Sequence, residues 1–288
     1  MDARMMATLW SQDPAFDTTT QQEARELMND EQGLLATFGT ELHFGTGGLR
    51  GILGTGTARM NRYTVARATL GLAHYLKQQK NPSVAIAHDS RHGSEEFTQA
   101  AAEVLCAEGV TVHVFDTLAP TPMLSYAVRA LHCTAGVMIT ASHNPAIYNG
   151  YKVYGADGCQ ITDHAADLIT AEIEKVGYNE AKYLPKAKAV SEGLWLPVGD
   201  DVRRNFAQAC LFCRPDPAIC EPVKVVYTPL HGTGLEPVRE VLAHMQGVQV
   251  TEVEAQCEPD GAFPTCPKPN PELDETLAMG IALARETE

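Results

Sequence analysis

The sequence lacks long apolar runs and is poor in basic residues. No stretch of about 18 apolar residues occurs, so no segment is long enough to cross a bilayer as a helix. The start, MDARMMATLWSQDP, has no apolar core of the length that a secretory signal needs. Lys and Arg number 22 against 36 Asp and Glu, which gives a net charge of −14. This balance argues against partners such as nucleic acid or an anionic membrane, but it allows a locally basic pocket for an anionic substrate.

The cysteine pattern lacks the paired spacing of a complete zinc site. Eight cysteines are present, and Cys210, Cys213 and Cys220 form at most half of a zinc motif, because a second CxxC and a fourth ligand are missing. Three of the eight lie in segments that read as helix or strand, which suits buried thiols in a reducing compartment. We therefore predict a cytoplasmic protein with reduced structural cysteines, with zinc binding as the alternative.

The composition and periodicity indicate a folded α/β chain. Apolar residues make up 44% of the 288 residues, which excludes a disordered chain and suffices for one large domain or two ordinary ones. Short apolar runs alternate with segments of helical periodicity. This alternation predicts βαβ units, that is, mixed, largely parallel sheets flanked by helices.

The predicted elements begin with a polar helical segment over the first 40 residues, with Leu27, Leu34 and Leu35 as its inward positions. Asn61 and Ser94 are predicted helix N-caps. Residues 177–199 show no clear periodicity and are interpreted as the connection between two domains. Strands are predicted at 83–87, 110–115, 135–140, 149–154, 223–227 and 248–253, and helices between them and at 201–212, 235–245 and 271–286.

Segment 140–145, TASHNP, is the first candidate for chemistry. It follows an apolar strand and so lies at a strand's carboxyl end, where open α/β sheets place their sites. Ser142 is a candidate nucleophile, but a serine hydroxyl needs a base, a metal or an attached group to react at neutral pH. His143 is adjacent, and because adjacent side chains usually diverge, the two need not exchange a proton. From the residues alone, a structured loop is an equal alternative.

Three further polar segments could contribute to a site together with segment 140–145. FGTGGLRG, at 44–51, is a glycine-rich loop that ends in Arg50, a side chain able to bind a phosphate in bidentate fashion. The loop is neither a Walker sequence nor a dinucleotide fingerprint. The pair Asp89 and Arg91 follows a predicted strand and either binds a ligand or ties two loops together. Lys152 lies ten residues after Ser142. It is either an ordinary solvated lysine or, if its side chain is removed from water, a group that can act as an acid or base.

Together these motifs resemble those of the phosphohexomutases, the phosphoglucomutase/phosphomannomutase family. The resemblance rests on FGTGGLRG, DSR, TASHNP, NGYKVY and GCQ in that order, followed by YTPLHGTG, PDGAFP and PNPE. It covers roughly residues 40–288 and is closest to the phosphoglucomutase/phosphopentomutase branch. It implies an N-terminal helical extension at 1–40, domain I with the phosphoserine loop at 41–198, and an incomplete domain II at 199–288.

The resemblance also implies a reaction. The family interconverts glucose 1-phosphate and glucose 6-phosphate through a phosphoserine enzyme and glucose 1,6-bisphosphate, with Mg²⁺ as the metal. Ser142 matches the phosphoserine, which is also a metal ligand through its phosphate, and His143 and Lys152 match the other catalytic positions. The substrate-binding positions match Thr46, Arg50, Ser142 and Asn144.

The sequence departs from the family pattern in one important respect. The family's metal loop, Asp-Gly-Asp-x-Asp-Arg or a close variant, does not occur, and neither do the later sugar-recognition and phosphate-binding loops. We therefore expect an N-terminal fragment that is inactive or weakly active alone. The alternatives are phosphopentomutase, phosphomannomutase and a non-catalytic phosphosugar-binding fragment. A serine hydrolase is also considered, although the segment is not Gly-x-Ser-x-Gly. The sequence leaves the oligomeric state open.

Overall fold

The N-terminal segment forms three short helices instead of one long helix. The computed structural model describes residues 2–213 and 222–287. The three helices are α1 (Ala3–Gln12), α2 (Thr18–Leu27) and α3 (Glu31–Phe38). Each begins after an aspartate whose carboxylate accepts hydrogen bonds from backbone amides of the first turn. These successive N-caps explain why the helical segment is interrupted.

An aromatic cluster attaches these helices to the rest of the chain. Trp10 is fully buried, and its ring centroid lies 4.6 Å from that of Phe16, 5.5 Å from that of Phe38 and 5.4 Å from that of Tyr63. The predicted inward position of Leu34 is confirmed, and Leu27 is half-buried.

The prediction for Leu35 is wrong, because its side chain is 57% exposed. Helix α3 buries Leu34, Thr37 and Phe38, which recur at a helical spacing of three and four residues. Leu35 lies about 100° around the helix from Leu34 and therefore falls off this buried face.

Within the described residues, six strands form one mixed sheet. They are β1 (Leu49–Ile52), β2 (Ser83–His88), β3 (Thr111–Val114), β4 (Ala135–Ile139), β5 (Tyr148–Gly155) and β6 (Trp195–Pro197). Their order is β1-β5-β4-β2-β3-β6. Strands β4, β2, β3 and β6 run parallel, whereas β5 is antiparallel to both β4 and β1. The predicted mixed, largely parallel α/β sheet is confirmed.

Helices cover both faces of this sheet. One face packs against helices α4 (Arg62–Leu76), α5 (Ser94–Ala107), α7 (Asp163–Ile173) and α8 (Lys186–Ser191). The other face packs against α6 (Thr121–Ala130) and α9 (Asp200–Phe212). Strand β2 shows the alternation, because Val84 and Ile86 join one core while Ala85 and Ala87 join the other.

Of the predicted helix N-caps Asn61 and Ser94, the first is confirmed. Asn61 accepts hydrogen bonds from the amides of Tyr63 and Thr64 and forms a capping box with Thr64. Ser94 is not a cap, because α5 begins after Gly93, whose φ is +78°. The Ser94 hydroxyl instead donates to Asp89 Oδ1 at 2.9 Å.

The segment at 177–199 is more than a connection. Strand β6 pairs in parallel with β3 and adds a strand to the main sheet. Its three residues are too few to show an alternating pattern, and Pro197 ends it, so the sequence did not reveal it.

The later part of the chain forms a second, smaller sheet. Strands β7 (Val223–Tyr227) and β8 (Val248–Glu252) pair in parallel and are flanked by α10 (Leu235–Ala243) and α11 (Asp274–Glu286), as predicted. Among the described residues, no helix combines the length and apolar character that crossing a membrane requires.

Candidate active site

Ser142 lies on the loop that follows β4, at the carboxyl end of the parallel strands. Its side chain is exposed, and its backbone is in the left-handed region with φ of +58°. The Ser142 amide donates to Thr140 Oγ1 at 2.8 Å, which closes the turn. A non-glycine residue in this region is uncommon, and such residues cluster at functional sites. The turn therefore presents the hydroxyl to solvent at the strand end that the sequence predicted.

The Ser142 loop lines a cleft between the two halves of the chain. The cleft has a volume of about 330 Å³. The first half contributes Ser90, Thr121 and Ser142 to its walls, and the second half, residues 199–287, contributes Gly232, Thr233 and Phe263. A ligand bound there would touch loops from both halves. Open α/β sheets bind ligands at this kind of position.

His143 and Asn144 follow Ser142 on the same loop. His143 Nδ1 lies 3.5 Å from Ser142 Oγ, at the outer limit of a hydrogen bond, and His143 is exposed. Asn144 is half-buried, and its amide donates to Ala141 O at 3.2 Å. The structure thus brings all three residues together, but the separation of His143 from the hydroxyl does not make it a well-placed general base.

Lys152 and Arg50 share one face of the sheet. Arg50 on β1 pairs with Gly150, and Lys152 lies two residues further along β5, so the two cationic side chains are diagonal neighbours. Burial, followed by the positive charge of Arg50, lowers the pKa of Lys152, while the charge of Asp89 opposes this shift. Lys152 therefore releases its proton more easily than an exposed lysine, as acid–base work requires.

The glycine-rich loop forms a tight turn before β1. The Gly48 amide donates to Gly45 O at 2.7 Å, and Gly48 has φ of +77°. A Cβ at Gly48 would lie 1.9 Å from Tyr151 O, so only glycine fits. Thr46 is exposed, and its carbonyl accepts a hydrogen bond from Gln160 Nε2 at 2.8 Å. The structure thus places Thr46 beside the GCQ segment and not on the Ser142 loop.

The DSR segment ties the strand-end loops together. Asp89 Oδ2 accepts a hydrogen bond from Thr140 Oγ1 at 2.5 Å. Its Oδ1 accepts from the Arg91 amide at 3.0 Å and from the Ser94 hydroxyl at 2.9 Å. Arg91 is buried and donates to carbonyl oxygens of the Ser142 loop. Of the two interpretations that the sequence allowed, this geometry supports the loop-tying pair.

His231, in the second half, has a structural role. It is 3% exposed, and its ring nitrogens lie 2.9 Å from Glu258 O and 2.9 Å from Thr265 Oγ1. Both nitrogens are therefore used within its own loop and do not face the cleft as free ligands.

Few side chains in the described residues are placed to bind a metal ion. Among residues 2–213 and 222–287, no three His, Cys, Asp or Glu side chains converge as metal ligands. Both carboxylate oxygens of Asp89 already accept hydrogen bonds. Cys220, the third member of the predicted zinc half-motif, lies outside the described residues.

Comparison with known proteins gives consistent matches. Family models described as phosphoglucomutase/phosphomannomutase, alpha/beta/alpha domain I and domain II match residues 41–180 and 208–288. A phosphoglucomutase of Staphylococcus haemolyticus (strain JCSC1435) is 40% identical over 259 residues, which are 90% of this chain and 46% of the relative. A phosphoglucomutase of Staphylococcus epidermidis (strain RP62A) is 38% identical over 273 residues, 93% of this chain and 47% of the relative.

A solved structure shows a similar fold. It is the crystal structure of a putative phosphomannomutase from Thermus thermophilus, with a TM-score of 0.71 and 26% identity. The match covers 85% of this chain and 52% of that one. The chain spans about half the length of the curated relatives it matches.

Proposed function

Because the chain belongs to the phosphoglucomutase/phosphomannomutase family, we propose that it acts in a phosphosugar mutase that interconverts glucose 1-phosphate and glucose 6-phosphate. The observation that carries the proposal is the Ser142 hydroxyl, exposed on a left-handed turn and lining the cleft between the two halves. The relatives named phosphoglucomutase support the choice of glucose phosphates.

Ser142 carries the phosphoryl group in the proposed reaction. The bond between Ser142 Oγ and phosphorus breaks as a sugar hydroxyl oxygen bonds to the same phosphorus. The product is glucose 1,6-bisphosphate, which turns round and returns its other phosphoryl group to Ser142. Catalysis of such transfer consists mainly of positioning and charge stabilisation.

Lys152 exchanges the proton that this reaction moves. In its neutral form it accepts the proton of the attacking sugar hydroxyl and passes it to Ser142 Oγ, whose bond to phosphorus breaks. In the return transfer the proton moves the other way, from Ser142 Oγ through Lys152 to the sugar oxygen that gives up its phosphoryl group. The lowered pKa of Lys152 supports this role, because it increases the neutral fraction near neutral pH. Arg50, on the same face, offsets the negative charge of the phosphoryl group in transit.

The remaining predicted residues bind the substrate or support the loop. Asn144 and His143 flank the serine, and His143 contributes a polar wall beside the hydroxyl at 3.5 Å. Thr46 lies on the turn before β1, the strand that carries Arg50. We assign it to substrate phosphate binding together with Arg50.

The family implies a metal, and Mg²⁺ suits phosphate oxygens. A phosphate carried by Ser142 would be the Mg²⁺ ligand on the Ser142 loop. The described side chains do not form a site by themselves, because no three of the ligating kinds converge and Asp89 is already engaged.

We also propose a domain division and a location. The division is a helical extension at 1–40, domain I at 41–198 and domain II at 199–288, supported by β6, the last strand of the main sheet along the chain, which ends at Pro197. A cytoplasmic location is supported by Cys106 and Cys133, which are buried and unpaired.

A labelling experiment tests the phosphoserine. The chain is incubated with glucose 1,6-bisphosphate carrying a radioactive phosphate, purified, and then mixed with unlabelled glucose 1-phosphate. The experiment follows single transfers and not sustained turnover, so it also applies to a chain whose mutase activity is weak. Wild type should take up label and lose it to the sugar, whereas Ser142→Ala should take up none. Thr121→Val is the matched control, because it removes another hydroxyl from the same cleft and should label normally. Equal labelling of Ser142→Ala, or no label on wild type, would contradict the proposal.

A further inference from the structure

Arg91 binds the backbone of the Ser142 loop at four points. Its guanidinium donates to the carbonyl oxygens of Ser142 at 2.8 Å, Pro145 at 3.0 Å and Tyr148 at 3.1 Å, and also to that of Asn144. The side chain is 3% exposed. Water therefore competes little for these hydrogen bonds, and a charged donor strengthens each of them.

The loop also has hydrogen bonds that do not involve Arg91. The amides of Ser142, Asn144 and Tyr148 donate to Thr140 Oγ1, to Ala141 O at 3.2 Å and to Pro145 O at 3.0 Å, and Ile147 O accepts from the Leu53 amide at 2.8 Å. Ser142 also has a left-handed backbone, which persists only when its surroundings hold it. Arg91 supplies this hold across the whole turn, because its contacts run from Ser142 to Tyr148.

The second half of the chain covers Arg91. The Phe263 ring lies 4.9 Å from the guanidinium carbon, and Phe263 is itself 4% exposed. Gly261 packs so closely on the DSR segment that a Cβ there would lie 2.6 Å from the His92 amide nitrogen. The Ser90 hydroxyl donates to His231 O at 2.8 Å. The second half thus braces the segment that holds the loop.

We propose that Arg91 is a positioning residue that, covered by Phe263, holds the backbone of residues 142–148 so that the Ser142 hydroxyl is aligned for phosphoryl transfer. The proposal rests on the proposed function. Lysine cannot replace Arg91, because a single ammonium group does not offer the planar fork of donors that reaches four carbonyl oxygens. Phe263 links this alignment to the second half of the chain.

Amide hydrogen exchange of the 288-residue chain tests the structural part. In Arg91→Met, the amides of Ser142, Asn144 and Tyr148 should exchange about tenfold faster, because the hydrogen bonds that hold the loop are gone. Arg91→Lys should show most of this effect, and Phe263→Leu a smaller one. The amides of β2 should be unchanged in all three variants.

Arg203 offers the matched control. It is half-buried, lies over the Phe115 ring at 5.2 Å and donates to a backbone carbonyl, that of Thr117, but it does not touch the Ser142 loop. Arg203→Met should leave exchange in residues 142–148 as in wild type. Loosening of that loop in Arg203→Met as large as in Arg91→Met would overturn the proposal, because the effect would then be general.

Single-turnover transfer separates alignment from folding. The phosphorylated chain is mixed with glucose 1-phosphate, and the amplitude, the rate constant and the half-saturating sugar concentration are measured. A merely unstable variant loses amplitude. A misaligned hydroxyl instead lowers the rate constant, by about a hundredfold for a displacement near 1 Å, with the half-saturating concentration unchanged. Arg91→Lys should fail to restore the rate.

The outcomes separate this inference from the function on which it rests. Loop amides of Arg91→Met that exchange as in wild type overturn the inference, and so does an unchanged transfer rate constant. A wild-type chain that transfers no phosphate, or a Ser142→Ala chain that does, overturns the proposed function. If the proposed function fails, amide hydrogen exchange of residues 142–148 still shows whether Arg91 holds the backbone of this loop.

Discussion

The left-handed backbone at Ser142 predicts an unusual stability order among substitutions at this position. With φ of +58°, an L-residue carries a cost of about 1–2 kcal/mol relative to the right-handed region, and glycine escapes this cost. Glycine in turn makes the unfolded chain more flexible, which lowers stability by about 0.5–1 kcal/mol. The serine hydroxyl lies 3.5 Å from His143 Nδ1, so its own loss costs little. We therefore expect Ser142→Gly to be more stable than Ser142→Ala by about 0.5–1 kcal/mol.

Thermal unfolding of the two variants measures this difference. For a domain of this size, the expected gain corresponds to a Tm about 1–4 °C higher for the glycine variant. Ala141→Gly is the matched control on the neighbouring residue, which is buried and has no positive φ. It should lose stability, by about 0.5–1 kcal/mol or more. Equal Tm values for Ser142→Gly and Ser142→Ala, or a higher value for alanine, would refute the strain argument.

Three further measurements concern other sites in the molecule. Lys152→Met should raise the free energy of unfolding at neutral pH, because burial disfavours the charged form of the wild-type lysine in the folded state. Between the lowered pKa of the folded state and the unfolded value of about 10.4, the folded lysine loses its proton first and this cost disappears. This gain should fade as pH rises through that window, and a pH-independent gain in urea unfolding would argue against it. Gly71→Ala should cost about 1–3 kcal/mol, because its Cβ would lie 2.4 Å from Ile173 Cγ1 and 2.7 Å from the Ile173 amide nitrogen. Gly109→Ala, which meets open space at φ of +77°, should cost only about 1 kcal/mol, so a reversed order of Tm values would be inconsistent with this packing. Amides in β7 and β8 should exchange faster than those of the fully buried residues 84–87 of β2, and equal protection would contradict this expectation.

Much of the fold was visible in the sequence because local signals and tertiary packing agree. The strands at 83–87 and 135–140 are continuous apolar runs, as strands covered on both faces must be. Asn61 precedes a periodic apolar face and forms the capping box that its position predicts. Where a local sequence signal and the tertiary contacts disagree, the prediction was wrong. Ser94 has the right side chain for an N-cap, but Asp89 binds its hydroxyl, and Gly93 supplies the left-handed turn before the helix.

The positions of the candidate site residues on the sheet were predictable from the sequence, but the contacts that support their loop were not. Ser142 and Lys152 were found because they follow or lie on recognisable strands. The four carbonyl contacts of Arg91 involve backbone atoms, which carry no sequence signal, and the loop that offers them is shaped only when β4 and β5 pair. Phe263 lies far along the chain and meets Arg91 through the packing of the two halves, which periodicity does not show.

In the proposed mechanism, the Ser142 hydroxyl stores the phosphoryl group that the reaction transfers. The most direct test is to treat the chain with glucose 1,6-bisphosphate and to locate the bound phosphate by tandem mass spectrometry of its peptides. We expect a single phosphorylated residue, Ser142, which returns to a free hydroxyl after glucose 1-phosphate is added. Phosphate on His143, Thr140 or Ser90 in place of Ser142, or a phosphate on Ser142 that the sugar does not remove, would contradict it.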